Sequence, residues 1–367
     1  MKIDDIARLA GVSKAAVSLA LNNKAGVSEA TRQHILEISR ANGYTPRTFK
    51  THKVSAKNSS VMRFIACKNV DIVTEHYESQ PFFSELIHHL TSYAGEQGHT
   101  LIISSIPIQS LKEEIQQLEH EQPSAGILLL GTNLPAQMIE SVLSIHPNLV
   151  ILDTCFEHID ASFVAINNYL GGYQAGKHLI ALGYRSIGYI ESEVRIFNFI
   201  KRKEGFMAAL QEGNMDIDEN LTFAMNPMSL LSQDSFKTAV ENMKHLPSVI
   251  FCENDYMAIS AIKTFQELNI KVPEQVAVMG FDNIREAKVI SPELTTIHVK
   301  KDIMAKTAMD MLLRKVGGRK DQNVQILVNT EVIERGSCAA QTGCGESAGK
   351  LSASLSPGTT QPQINPL

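Results

Sequence analysis

The 367 residues include no tryptophan, and aromatic residues make up only 6% of them. No indole is available to stack on a bound ring, so any aromatic wall has to come from phenylalanine or tyrosine. No apolar run approaches the 18 residues of a membrane span. The five cysteines (Cys67, Cys155, Cys252, Cys338 and Cys344) are scattered, odd in number and lack a C-x-x-C. They read as free thiols, mostly packed. The first turn carries Asp4 and Asp5, which is unlike a signal peptide and sets the cytoplasm as the expected location. Catalytic signatures are also missing. There is no G-x-S-x-G and no coherent set of serine, histidine and acid. His88–His89 has no further ligand at metal spacing and reads as a solvated helix face. Gly171–His178 (GGYQAGKH) approaches a phosphate-binding loop, but His178 stands where a Mg²⁺-binding hydroxyl belongs. Leu170, Tyr173, Lys177 and Ile180 space there as one continuous helix. No metal, no cofactor and no enzymatic activity are expected.

The chain is 44% hydrophobic and 20% charged, enough for two or three cored domains. Its net charge of −5 is unevenly spread. Residues 1–60 hold ten Lys or Arg against four acids, a net of +6, so the remainder carries −11. A basic head on an acidic body suits phosphate contact by the head alone.

Within that head, MKIDDIARLAGVSKAAVSLALN holds two short apolar-periodic runs split by a breaker at Gly11. Such a pair reads as a helix-turn-helix, whose second helix enters a DNA major groove. Ser13 suits that helix's N-cap. Ser28 suits the cap of a third helix, with Ile35, Ile38 and Ala41 inward until Gly43. Residues 47–61, rich in Lys, Thr and Ser, read as a linker.

From Met62 short apolar strands alternate with amphipathic helices. Strands are expected at 63–67, 100–105, 126–130, 149–152, 187–190, 249–252 and 276–281. Helices are expected at 82–97, 111–119, 136–145, 170–182, 201–212, 233–244, 256–268 and 302–316. Such alternation predicts parallel sheets with helices on both faces, here split into two lobes. Ligands in such folds sit at the carboxyl ends of strands. Residues 340–367, rich in Ser, Gly, Thr, Gln and Pro, read as a disordered tail.

The stretches IDDIARLAGVSKAAVSLALN and VSEATRQHILEISRANGYTP resemble the DNA-binding head of the lac-repressor (LacI/GalR) family of bacterial regulators. QPFFSELI, LIALGYRSIGYI, RKEGFMAAL, FCENDYMAISA, VPEQVAVMGFDN and SPELTTI resemble segments of its effector-binding core, in one order over residues 2–338. The resemblance implies a multidomain chain, an all-α helix-turn-helix head (1–46) with a two-lobed α/β, periplasmic-binding-protein-like core (62–339). Lobe 1 would span about 62–165 and 297–326, and lobe 2 about 166–296 and 327–339. A homodimer on a pseudo-palindromic operator is implied, with a small effector between the lobes.

Carried over by position, Lys14, Ala15 and Leu19 face base edges, and Ser13, Ser18 and Asn22 hold phosphates. Leu19 stands where many relatives have Arg and can offer a base only an apolar contact. Arg47, Lys50 and Lys53 occupy the hinge positions where relatives have Asn, Ala and a minor-groove Leu, so phosphate contact replaces an apolar wedge. The implied effector contacts are Asp153, Arg202, Asn254 or Asp255, and Asp282; Phe82, as an apolar wall, and Asn198 are further expected contacts. Asp153, Asn254–Asp255 and Asp282 each end a predicted strand, the edge where acceptors meet ligand. Asp255 also suits a helix N-cap, and Asn198 falls in the loop before the helix of Arg202. Phe83, Phe156, Phe197 and Phe199 are further candidate walls. The expected function is repression of carbohydrate genes under a sugar or sugar phosphate. The alternative is control by a non-sugar effector such as a nucleobase, or by a protein co-regulator. A transport protein shares such a core but not the basic head. A sugar-modifying enzyme would need a nucleophile or metal beside the cleft acids.

Overall fold

A computed structural model describes residues 3–21, 26–41, 60–69, 71–318 and 323–341. They fall into two units, a head and a core that starts at Ser60. Asn22, Arg47, Lys50, Lys53, most of the 47–61 linker and the tail from 342 lie outside the described residues.

In the head, α1 (Ile3–Ala10), α2 (Lys14–Leu21) and α3 (Glu29–Ala41) bury Ile6, Ala7, Val17, Ala20 and Ile35 against one another. Gly11 ends α1 at φ 64°, a left-handed conformation that glycine adopts at little cost. Ser13 Oγ then accepts the Ala16 N–H at 3.1 Å, and Ser28 Oγ accepts the Thr31 N–H at 3.2 Å. Both expected caps form. Arg32 donates to the carbonyls of Leu19 and Ala20, placing its cation at the C-terminal end of α2.

The core chain runs β1 (Val61–Lys68), α4 (Pro81–Glu96), β2 (Thr100–Pro107), α5 (Leu111–Glu121), β3 (Gly126–Leu130), α6 (Ala136–Leu143), β4 (Leu149–Leu152) and β5 (Ser162–Ile166). It crosses over into α7 (Asn168–Ala181), β6 (Ile187–Ser192), α8 (Phe197–Glu212), β7 (Thr222–Met225), α9 (Asp234–Glu241), β8 (Val249–Cys252), α10 (Asp255–Glu267), β9 (Ala277–Asp282) and β10 (Thr295–His298). It returns through α11 (Lys301–Val316) and β11 (Gln325–Val328), then crosses again to β12 (Glu331–Ile333). The first sheet, β11-β5-β4-β3-β1-β2, is wholly parallel. The second, β12-β10-β9-β8-β6-β7, is parallel except for edge strand β12. Two six-stranded sheets thus make two lobes joined by three crossovers. Strands GILLL, LVIL and VIFC are buried at every residue, as expected for strands covered on both faces.

The lobe 2 helices α7 and α8 pack at backbone distance. A Cβ on Gly205 would collide with the Tyr169 carbonyl, and one on Gly172 with the Arg202 carbonyl. Gly172 and Gly176 of GGYQAGKH therefore serve a helix seam, while Gly171 makes room for the Phe281 ring; they do not form a phosphate loop. Helix α8 begins at Phe197, four residues earlier than the periodicity indicates, because Ile196 is extended and its carbonyl accepts the Ile200 N–H. No helix among the described residues is long and apolar enough to cross a membrane.

Gly205→Ala should cost about 1–3 kcal/mol or more by overpacking the seam. Gly95→Ala, where an added Cβ meets nothing within 4 Å, should stabilise by about 0.5–1 kcal/mol. Urea midpoints of the two variants moving in the same direction would contradict this account of the seam.

Candidate functional site

In the head, Lys14 and Ala15 at the start of α2 are exposed, as a base-reading edge requires. Leu19 is half-buried, and a Cβ on Gly26 would meet its Cδ1 at 3.1 Å, so one side of it packs on its own unit. Ser13 spends an acceptor on its cap and keeps a hydroxyl proton. Ser18 lies within α2.

Between the lobes of the core lies a narrow cleft with an enclosed volume of about 40 Å³. Its walls come from the carboxyl ends of both sheets. Thr132 follows β3, Asp153 follows β4, Asn254 follows β8, and Asp282 ends β9. Phe82 and Phe83 open α4, Ile196 precedes α8, and Asn198, Phe199 and Arg202 enter from α8. Ile72, Met228 and Tyr256 complete the lining.

The polar end is one connected chain. Asp153 accepts from Thr132 Oγ1 at 2.7 Å and from Asn198 Nδ2 at 3.1 Å. Asn198 Oδ1 accepts from Asn168 Nδ2 at 3.1 Å, and Asn168 Oδ1 accepts from Arg202 Nε at 2.9 Å. Arg202 also donates to the Glu253 carbonyl, and its Nη2 lies 3.0 Å from Asp282 Oδ1. Its guanidinium sits 3.8 Å from the Phe281 ring centre. Phe82 N–H donates to Tyr256 Oη at 3.2 Å, a further link between lobes. Lys301, at the second crossover, reaches the Asp282 carbonyl at 3.0 Å and Glu85 of α4 at 2.9 Å.

Six of the seven expected effector contacts therefore meet in one cleft: Phe82, Asp153, Asn198, Arg202, Asn254 and Asp282. Asn198 stands on the first turn of α8 and not in a loop. Arg202 is no open fork, because its donors are held by protein groups. Asp255 lies elsewhere. It is fully buried behind the cleft, where Oδ2 accepts the Ile284 N–H at 2.9 Å and Oδ1 the Thr296 hydroxyl at 2.6 Å. Gly280 leaves the space it fills. The N-cap is Asn254, whose Oδ1 accepts the Met257 N–H. Of the candidate walls, Phe83 and Phe199 line the cleft, while Phe156 and Phe197 pack on each other with ring centres 6.2 Å apart. Sequence reasoning missed Thr132, Tyr256, Asn168, Glu253 and Lys301. Thr132 and Tyr256 each sit next to a strand end, where a signal existed.

Burial raises the acids. Desolvation lifts Asp153 to about 6, against the hydrogen bond from Thr132 and the charge of Arg202. Asp282 is raised by burial, with Arg202 and Lys301 opposing. Asp255 is pushed up to about 8, by burial first and by Asp282 second.

Comparison with known proteins places this geometry. The profile described as "Bacterial regulatory proteins, lacI family" matches residues 2–47, and "Periplasmic binding protein-like domain" matches residues 177–338. The chain is 30% identical over 343 residues to the HTH-type transcriptional repressor PurR of Vibrio atlanticus, covering 91% of this chain and 97% of that one. The chain belongs to the LacI family. To PurR of Aliivibrio fischeri it is 31% identical over 352 residues, with the same coverage. Among solved structures, the lac repressor dimer bound to operator and the anti-inducer ONPF aligns at a TM-score of 0.67 and 20% identity, covering 93% of this chain and 99% of that one. A CelR–cellobiose complex aligns at 0.64 and 22%, covering 92% and 100%. Those two likenesses speak to fold alone. As a LacI-family member with a helix-turn-helix head, the protein is a DNA-binding transcriptional repressor and not an enzyme.

A raised carboxyl pKa means that the folded chain holds its proton more tightly than the unfolded one. The contribution of Asp255 to stability is therefore full below about pH 4 and is lost as pH rises toward 8. In Asp255→Asn the amide can serve both partners, so urea midpoints should fall less between pH 5.5 and 8.5 than in the parent. Equal falls would mean that Asp255 is not buried as described.

Proposed function

We propose that this LacI-family repressor is controlled by a nucleobase, and that control by a sugar or sugar phosphate is the weaker reading. The observation that carries the proposal is the match, near full length and at about 30% identity, to repressors named PurR. Sugar-bound structures resemble the chain only in fold. The lining is compatible with a flat ring, since Phe82, Phe83, Phe199 and Tyr256 border the cleft beside its polar groups. A homodimer would read two half-sites of an operator through paired copies of α2. Base edges would meet Lys14, Ala15 and Leu19, while Ser13, Ser18, Asn22, Arg47, Lys50 and Lys53 would meet phosphate. Phe82, Asp153, Asn198, Arg202, Asn254 and Asp282 would form the effector site, with Arg202 acting through Asp282 and Asn168.

Effector and operator would be coupled by the lobe arrangement that each prefers. The interlobe links from Asn198 to Asp153, from Phe82 to Tyr256 and from Lys301 to Asp282 are the contacts that a change in lobe angle must break or make.

Calorimetric titration with adenine, guanine, hypoxanthine, ribose and glucose tests the reading. Binding of at least one base and neither sugar is expected; binding of a sugar alone would overturn it. Lys14→Ala should lower operator discrimination over random DNA by about 1–3 kcal/mol. Unchanged discrimination would remove Lys14 from base reading.

A further inference from the structure

Glu253 directly follows β8 and is fully buried, yet it is not part of the cleft lining. Its carboxylate is satisfied from behind the cleft. Oε1 accepts from the Tyr189 hydroxyl at 2.8 Å and from Arg195 Nη2 at 2.9 Å. Oε2 accepts from the Ser192 N–H at 2.7 Å and from Arg195 Nη1 at 2.6 Å. Its backbone does work on the other side. The Glu253 carbonyl accepts from Arg202, and its N–H donates to the Ile190 carbonyl at 3.1 Å. The next residue, Asn254, lines the cleft and caps α10.

Arg195 belongs to the segment that joins β6 to α8. The residue after it, Ile196, lines the cleft, and Asn198 and Arg202 follow on α8. Two lobe 2 segments that line the cleft, one before α8 and one before α10, are therefore tied together by a single two-pronged ion pair that faces away from it. Such a fork fixes orientation as well as distance. The remaining charges around it are Glu191, 4.0 Å from Arg195, and Lys203 of α8, which pairs with Glu191 at 2.6 Å and lies over the Tyr189 ring.

From this we infer that Arg195 and Glu253 are a positioning pair for the effector site, setting its affinity by holding Arg202 and Asn254 in register without touching the ligand. The inference rests on the cleft being the effector site, as proposed above, and not on which ligand fills it. Removing Arg195 alone leaves a buried carboxylate without its countercharge. An ionised Glu253 is then drawn toward water and takes the turn before α10 with it. A protonated Glu253 can stay in place. Burial already raises this carboxyl, with Arg195 the first group to oppose the rise, so loss of Arg195 makes protonation easier as pH falls.

The test is calorimetric titration of the full chain with adenine at pH 6 and pH 8, each variant being compared with the parent at the same pH so that titration of Asp153 cancels. Arg195→Met should weaken binding by about tenfold or more at pH 8 and by clearly less at pH 6. Arg195→Met combined with Glu253→Gln, which removes the buried charge along with its partner, should bind nearly as the parent does at both pH values. A single variant that matches the parent at pH 8, an equal loss at both pH values, or a double variant as weak as the single one would overturn the inference. Failure of the parent to bind adenine, guanine or hypoxanthine would remove the nucleobase reading; the same comparison with ribose or glucose, whichever binds, then decides the pair. Binding of none of the five would remove the effector site and this inference with it.

Discussion

Everything at the cleft depends on one buried chain of hydrogen bonds, from Thr132 through Asp153, Asn198, Asn168 and Arg202 to Asp282. It starts at a strand end in one lobe and finishes at a strand end in the other. Each member is nearly inaccessible to water, so each owes its stability to the next. Removing one leaves its neighbours unsatisfied, at about 1–3 kcal/mol apiece. A ligand that engages Asp282 or Asp153 therefore acts on a linkage that already spans both lobes.

Rigid elements hold the two ends of this chain. On the lobe 2 side, α8 carries Asn198 and Arg202 and is locked to α7 by glycines that permit backbone contact. Helix α7 in turn starts at the first crossover, with Asn168 as its first residue. Lys301 stands at the start of α11, just past the second crossover, and joins the Asp282 carbonyl to Glu85 of α4, the helix that also presents Phe82 and Phe83. Pocket walls and crossovers are thus the same residues or their neighbours. A ligand in the cleft would touch the residues that join the lobes, which is how its occupancy would be coupled to the angle between them.

Much of this was legible in the sequence. The fully apolar strands, the head with its two serine caps, and the acids at strand ends all follow from local chemistry. Strands β7, β11 and β12 escaped because they are three or four residues long and partly exposed, too short for any apolar alternation to mark them. Strand β5 escaped because it passes into α7 with only Asn167 between them. Asp255 was misplaced because sequence cannot tell which of two adjacent polar residues turns into a cleft and which turns behind it. Thr296 and Ile284, distant in sequence, decide that. The engagement of Arg202 was invisible for the same reason, since its partners come from α7, β9 and the segment after β8.

Reciprocal linkage is the measurement that tests this account most directly. The operator dissociation constant is measured with and without saturating adenine, and the adenine constant with and without saturating operator. If the cleft and the head share one lobe equilibrium, both constants change by the same factor, differing from one, as thermodynamics requires of coupled sites. Tight adenine binding that leaves operator affinity unchanged would contradict the claim that the cleft governs the grip on DNA.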